Sequence, residues 1–447
     1  MYPDDLPTAS IVFVFYNEAI STLYRSIHSV LNRTPAHLLH EIVLVDDASD
    51  APLIKQPLDD YIKLLPKVKI VRLGKRSGLM TARTEGAKAA TGEVVVFLDS
   101  HIECTQGWIQ PLLARIKEDR KHVVMPIIDS IDADSFEYGG TGIDILSVSW
   151  SMEQTALSRV RGNSTGPWPS VIMAGGLFAI DRKLFFEIGG YDPEMKIWGG
   201  EEMEISFRIW QCGMTLECLP CSHVGHIFRS AAYWQGHPYG IPGGVIKRNK
   251  LRVAEVWMNE YKDIVFEAMG SNGKEDLGPL DYMRDLRKRL QCKPFKWFLD
   301  NIFPELFVPN DESQIQFKGD IRNEKTGQCV DTLGHAKHNK IGVYGCHKQK
   351  GHQFFLFTTR GEIRVAQSGY TLCLDRSGDN SVSLWECHGG GGNQKWIWNK
   401  DTKHLSDENE GACLEVIKES DKFQLKVFTC VDKPEMQWEF RNLTSKA

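Results

Sequence analysis

The chain has 447 residues, 42% of them hydrophobic and 25% charged, with a formal net charge of -5. That length exceeds one ordinary core, so two or three domains are expected, and the composition is that of a folded globular protein. The acidic balance gives no reason to expect nucleic acid as a partner, and no stretch is long and apolar enough to cross a bilayer. The first residues, "MYPDDLPTAS", lack the basic-then-apolar layout of a signal peptide. Strand-like sequence begins almost at once, so the chain reads as trimmed at its front, with any targeting segment in the missing part.

The first part alternates strand and helix. "SIVFVFYN" reads as a strand, and from Ile20 the residues Leu23, Ile27, Val30 and Leu31 fall on one helical face. "EIVLVDDAS" is a strand ending in Asp46 and Asp47, "KVKIVRL" a third, "GLMTARTEGAKAA" a helix and "EVVVFLDSH" a fourth strand. Apolar, unalternating strands separated by helices indicate a parallel sheet covered on both faces, with ligands beyond the carboxyl ends of its strands. Asp46, Asp47 and Asp99 are expected in that crevice. In an extended segment Asp99 and His101 share a face. A carboxylate with an imidazole suits a divalent metal of intermediate hardness such as Mn2+, and a third ligand is required. "CSHVGHIFR" offers His223 and His226. Arg76, just before a helix, and Arg229, three residues past His226, suit a diphosphate held by that metal. The absence of a P-loop and of G-x-G-x-x-G argues against a kinase or a dehydrogenase.

Composition changes near 303–314, "FPELFVPNDESQ", which reads as a linker. Beyond it lie six of the eleven cysteines, and a unit of roughly 40 residues recurs three times. Each copy opens on a cysteine phrase ("CVDTLG", "CLDRSG", "CLEVIK"), gains a second cysteine and closes on "HQFF", "NQKW" or "MQWEF". Frequent turns and sparse helical pattern predict β-rich units closed into a three-fold barrel, and the even cysteine set predicts disulfides and an oxidising compartment. Asn32, Asn163 and Asn442 begin N-x-S/T triplets, which are common by chance.

In order along the chain, "FYNEA", "EIVLVDDAS", "GLMTAR", "FLDSH", "AGGLF", "WGGEEMEISFR", "WQCG" and "CSHVGH" closely resemble the polypeptide N-acetylgalactosaminyltransferases, Golgi enzymes that start mucin-type O-glycosylation. The repeats resemble the ricin-type β-trefoil lectin domain of that family. The resemblance implies an α/β GT-A domain over 1–303, Rossmann-like with a mixed, mostly parallel sheet, then a linker over 304–314 and an all-β trefoil over 315–447. It implies a retaining transferase moving GalNAc from UDP-GalNAc to Ser or Thr of polypeptide and glycopeptide acceptors in the Golgi lumen. The family's membrane anchor is absent from this chain.

Residue by residue, the resemblance makes Asp99, His101 and His226 the Mn2+ ligands and leaves His223 structural. Donor contacts fall to Val14, Asp47, Arg76, Ser100, Gly175 and Gly176. Trp198 becomes part of a mobile lid and Glu201 part of the sugar-side wall, with Arg229, His237 and Tyr239 closing over the diphosphate. Trp198, Glu201 and Arg229 carry the catalytic expectation. Retention is expected by same-face attack, with the leaving β-phosphate taking the acceptor proton and Glu201 acting as neither nucleophile nor base. Glu202 departs from the asparagine common in its place, and the segment between Arg229 and His237 is longer than expected.

In the trefoil, GalNAc is expected on Asp375, Trp385, His388 and Asn393 of the second repeat, and on Asp331, Tyr344 and His347 of the first, where His352 replaces an asparagine. The third repeat, with Glu415, is expected to be structural. Implied disulfides are Cys212–Cys292, Cys329–Cys346, Cys373–Cys387 and Cys413–Cys430, with Cys221 left free. The rival readings are a catalytically weak homologue acting as a glycopeptide-binding lectin and a GT-A enzyme with another acceptor, such as a glycan.

Overall fold

The computed structural model describes residues 2–143, 145–157, 165–228, 241–366, 369–419 and 422–442. Two compact units result, Met1–Pro304 and Glu305–Ala447. No helix among the described residues is long and apolar enough to cross a membrane.

In the first unit, β1 (Ala9–Phe15), β2 (Leu39–Asp46), β3 (Val68–Arg72) and β4 (Val94–Asp99) pair in parallel in the order β3-β2-β1-β4. The period of two sorts β1 onto both faces. Ile11 and Phe13 join the core under helix α1 (Ile20–Arg33), which buries Leu23, Ile27 and Val30 as its spacing predicts. Helix α2 (Gln56–Ile62) adds Leu58 and Ile62 to that same core, whereas Val12 points the other way, toward α3 (Leu79–Ala89). Gly86 of α3 lies so close to the side chains of Val12 and Val45 that a Cβ would overlap both.

The other half of the sheet departs from a purely parallel one. The short β5 (Ile102–Cys104) is followed by β6 (His122–Ile131), β7 (Tyr138–Ile143), a small β8–β9 hairpin (Leu146–Val148, Gln154–Ala156), β10 (Trp168–Pro169), β11 (Phe178–Asp181) and the long β12 (Thr215–Ile227). β11 inserts antiparallel between β4 and β6, and β12 runs parallel to β6 and antiparallel to β5. A four-residue strand, "FAID", with three apolar residues, carries no directional signal, so this reversal was not readable from pattern. The consequence for the site is direct. Pairing with β5 sets His226 opposite Ile102, and the Ile227 N–H donates to His101 O at 3.0 Å.

The second unit contains, among its described residues, twelve strands whose pairings are all antiparallel. Its core is built of repeated positions, including Val330, Leu374 and Leu414 after the first cysteines and Phe355, Trp396 and Trp438 after the glutamines. The indole N–H groups of Trp396 and Trp438 donate to Leu374 O and Leu414 O at 3.0 and 2.9 Å, so each buried tryptophan is satisfied by its own repeat. Disulfides join Cys329–Cys346, Cys373–Cys387 and Cys413–Cys430 here, and Cys212–Cys292 in the first unit. The segment expected as a linker packs with this second unit from Glu305 onward: Arg360 donates to Glu305 O at 2.6 Å, and Arg364 lies 4.5 Å from the Phe307 ring centre.

Candidate active site

β4 ends at Asp99, and the chain bends at Ser100 and His101 before β5. The extended i, i+2 argument therefore does not describe the local backbone. The side chains converge all the same, because the bend and the β5–β12 pairing bring Asp99, His101 and His226 together. One donor atom from each lies within 4.8 Å of the others. His226 Nε2 stands 3.3 Å from Asp99 Oδ2, and the two imidazole centres are 4.7 Å apart.

A further carboxylate holds this cluster. Glu18 Oε2 accepts from Ser100 Oγ at 2.9 Å and lies 2.9 Å from His101 Nδ1, which leaves Nε2 as the other ring nitrogen to consider as a ligand atom. A carboxylate behind an imidazole is the usual device for fixing a ligand's orientation. On the opposite side the buried Arg83 reaches Asp99 Oδ1 at 3.2 Å, Gly175 O at 2.5 Å and Gly176 O at 3.3 Å. Burial alone would raise the Asp99 pKa. The hydrogen bond from His226 and the charges of Arg83, His226 and His101 outweigh it and hold Asp99 well below the ordinary carboxylate range. Gly176 is required by contact, since a Cβ there would overlap Asp99 Oδ2.

Two cavities meet at this cluster, sharing Leu79, Asp99, Trp198, His226 and Phe228 in their walls. The first, of about 520 Å³, is lined by Val14, Tyr16, Arg76, Ser100 and His101. Arg76 lies over the Tyr16 ring, 3.8 Å from its centre, and pairs with the fully buried Asp47. Asp47 also accepts from the N–H groups of Ser77 and Gly78 at 2.6 and 2.9 Å, so it fixes the turn that starts α3. Asp46, expected in the crevice, instead turns to Arg72 at 2.5 Å.

The second cavity, of about 490 Å³, is lined by Arg83, Gly175, Gly176, Glu201, Glu202 and Lys250. Trp198 is about half exposed between the two. Its segment is built from left-handed residues, Ile197, Gly199 and Gly200, with φ of 53°, 95° and 87°. The buried Asn249 clasps it, donating to Lys196 O at 2.9 Å and Gly199 O at 3.0 Å while accepting from Lys196 N at 3.1 Å. Glu201 accepts from Gly199 N at 2.7 Å, and burial raises its pKa. Glu202 is pushed up to about 8 by burial and by the Glu201 charge. His223 turns away from the cluster to Asp129, at 2.9 Å. Arg229, His237 and Tyr239 lie outside the described residues. Glu18, Arg83 and Asn249 were not assigned roles from sequence. The first two sit in quoted motifs, "FYNEA" and "GLMTAR", whereas Asn249 has no local signature.

In the second unit the first two repeats share one construction. Gln394 Nε2 donates to Asp375 Oδ2 at 2.9 Å while its Oε1 accepts from His388 N at 3.0 Å. Gln353 does the same for Asp331, at 2.8 Å, and His347 N, at 3.1 Å. In the second repeat Asn393 Nδ2 bonds both Asp375 oxygens at 2.8 Å; the half-exposed Trp385 donates to Ser383 Oγ at 3.1 Å, and its ring centre is 4.0 Å from that of His338. In the first repeat His352 is held by the Thr332 hydroxyl at 2.8 Å, and Tyr344 is exposed. In the third, Lys433 Nζ occupies Glu415 at 2.7 Å. Cys221 is exposed and unbridged.

Family models match both units. Glycosyl transferase family 2 covers residues 10–189, the N-terminal domain of galactosyltransferase residues 157–230 and the ricin-type beta-trefoil lectin domain residues 317–438. The chain is 46% identical to Polypeptide N-acetylgalactosaminyltransferase 13 of Homo sapiens, over 99% of this chain and 80% of that relative. It is 44% identical to Polypeptide N-acetylgalactosaminyltransferase 5 of Caenorhabditis elegans, over 98% of this chain and 70% of that one. A crystal structure of GalNAc-T7 with UDP, GalNAc and Mn2+ aligns over 100% of this chain and 84% of its own, at 36% identity and a TM-score of 0.67. With both units matched in order and such identity across nearly its whole length, the chain belongs to the polypeptide N-acetylgalactosaminyltransferase family.

Proposed function

We propose that the protein transfers GalNAc from UDP-GalNAc to Ser and Thr hydroxyls of polypeptides with retention, and that its second unit binds GalNAc already present on glycopeptides. The Golgi lumen is the compartment this chemistry and the disulfides fit. The observation that carries the reading is the Asp99–His101–His226 cluster in the wall shared by two cavities. One hard oxygen and two imidazoles suit Mn2+, and Glu18 beside His101 Nδ1 supports ligation through Nε2. When bound, that ion supplies positive charge to the diphosphate of the donor.

The chain's own residues do the rest. Val14, Ser100, Arg76 and Tyr16 line the cavity that suits the nucleotide, and Asp47 keeps Arg76 in place. Arg83, Gly175, Gly176 and Glu201 line the cavity that suits the sugar, with Trp198 covering the junction. Glu201, buried and bound to the Gly199 N–H, positions this wall and is a poor nucleophile. The acceptor hydroxyl then passes its proton to the leaving β-phosphate on the same face, and Arg229 with the metal site stabilises the charge formed there. In the second unit, Asp375, Trp385, His388 and Asn393 form the fuller sugar site, and Asp331, Tyr344 and His347 a poorer one.

A peptide-library assay with UDP-GalNAc and Mn2+ tests this. Ser- and Thr-linked GalNAc in the α configuration is expected, lost in a folded His226→Ala variant. Donor binding without transfer to any peptide would retire the reading.

A further inference from the structure

Glu202 sits at the first turn of the helix Glu201–Gln211, buried, with its Cβ 3.1 Å from where a Gly175 side chain would begin. It lines the second cavity beside Glu201, so two consecutive carboxyls share one wall. The charges around that cavity are otherwise committed. Arg83, across the floor, serves Asp99 and the Gly175 and Gly176 carbonyls. Lys250, from the helix Val245–Trp257, gives its ammonium to Glu153 at 2.5 Å. Glu201 is already satisfied by the Gly199 N–H. A second buried carboxylate beside Glu201, without a cation of its own among the described residues, is costly as an ion and cheap as an acid.

Resting on the transfer reading above, we infer that Glu202 reads the transferred sugar as a neutral carboxylic acid, donating its O–H to a sugar oxygen and accepting from a sugar O–H or N–H, as a side-chain amide would. Burial and the Glu201 charge raise Glu202 to about 8, against the opposing pull of Lys250 and of the Gly200 and Glu202 N–H groups. The acid is therefore intact at neutral pH and ionises in the alkaline range. An ionised Glu202 loses its donor and repels the oxygen it had bound, whereas UDP alone never reaches it. Gln, unlike Asp or Ala, reproduces both hydrogen-bonding edges and does not titrate.

The test is calorimetric, with Mn2+ present, using UDP-GalNAc and UDP as separate probes on the wild type, Glu202→Gln and Glu202→Ala between pH 6.5 and 9.5. The wild-type preference for UDP-GalNAc over UDP should fall about tenfold from pH 7 to 9, as the neutral fraction of a group near pH 8 does. It should stay flat in Glu202→Gln and be low at every pH in Glu202→Ala, with both variants melting as the wild type does. The ratio cancels effects at the metal cluster, which both probes share. An equal alkaline fall in Glu202→Gln, a Glu202→Ala preference matching wild type at pH 7, or a wild type that does not prefer UDP-GalNAc would each overturn the inference. Donor preference that behaves as expected without peptide transfer would instead retire the acceptor assignment alone.

Discussion

Replacing Gly176 by alanine presses directly on the metal cluster. Gly176 does not occupy the left-handed region, so alanine meets no backbone penalty there. The added Cβ would overlap Asp99 Oδ2, the oxygen nearest His226, and lie 3.1 Å from Asp99 Cγ. Ordinary contact begins at 3.4 Å, so the carboxylate must retreat by about 1 Å. Metal–ligand distances tolerate about 0.2 Å, and a misplacement of about 1 Å at a reacting centre costs roughly 100-fold. The expected result is a loss of about 100-fold in kcat/KM for peptide glycosylation, with Mn2+ affinity weakened at least about tenfold and the melting temperature little changed. The Mn2+ dependence of turnover and a thermal melt measure both. Gly74→Ala is the control, having no atom within 4 Å of its Cβ position. Wild-type kcat/KM in Gly176→Ala would refute the claim that this turn holds Asp99 in ligating position.

Glu18→Ala removes the acceptor behind His101, so half-saturating Mn2+ should rise about 10- to 100-fold while turnover recovers at high Mn2+; an unchanged Mn2+ titration would sink the orienting role. Asp375→Ala releases Asn393 and Gln394 together and should lower kcat/KM on GalNAc-bearing peptides about tenfold, leaving matched unmodified peptides unaffected. Asp331→Ala should do less, and Glu415→Ala almost nothing, because Lys433 already fills that site; equal losses on both members of a peptide pair would assign the trefoil to folding alone.

How far the sequence could be read follows from how local each signal is. The apolar run ending in Asp99 announced a strand end in a crevice, and α1 followed its spacing, burying Leu23, Ile27 and Val30 with Leu31 packed partly against the core, because both depend on neighbours in sequence. The metal cluster depends on β12 lying against β5, and only a whole-motif resemblance selected His226 over His223. Asn249 was invisible: its four backbone partners, three carbonyls and one amide, lie some fifty residues away, on a segment whose left-handed glycines looked like any turn. Glu18 and Arg83 were in plain view inside motifs, but nothing in their spacing tells a second carboxylate or a buried guanidinium from a surface charge. The antiparallel entry of β11 was hidden because so short a run, three buried residues and Asp181, looks the same in either direction.

The trefoil separates what holds it from what it binds. Trp396 and Trp438 hydrogen-bond inward to their own repeats and one disulfide braces each repeat, whereas Asp331 and Asp375 are held by other groups, Gln353, Asn393 and Gln394. On the proposed reading a repeat can therefore lose its ligand chemistry and remain a full structural third of the barrel, with the Glu415–Lys433 pair as the candidate case. Valency becomes an evolutionary variable that drifts independently of stability. One duplicated module can be silenced, retuned to another glycan or restored by a few surface substitutions, while the ancestral triplication continues to guarantee that the domain folds.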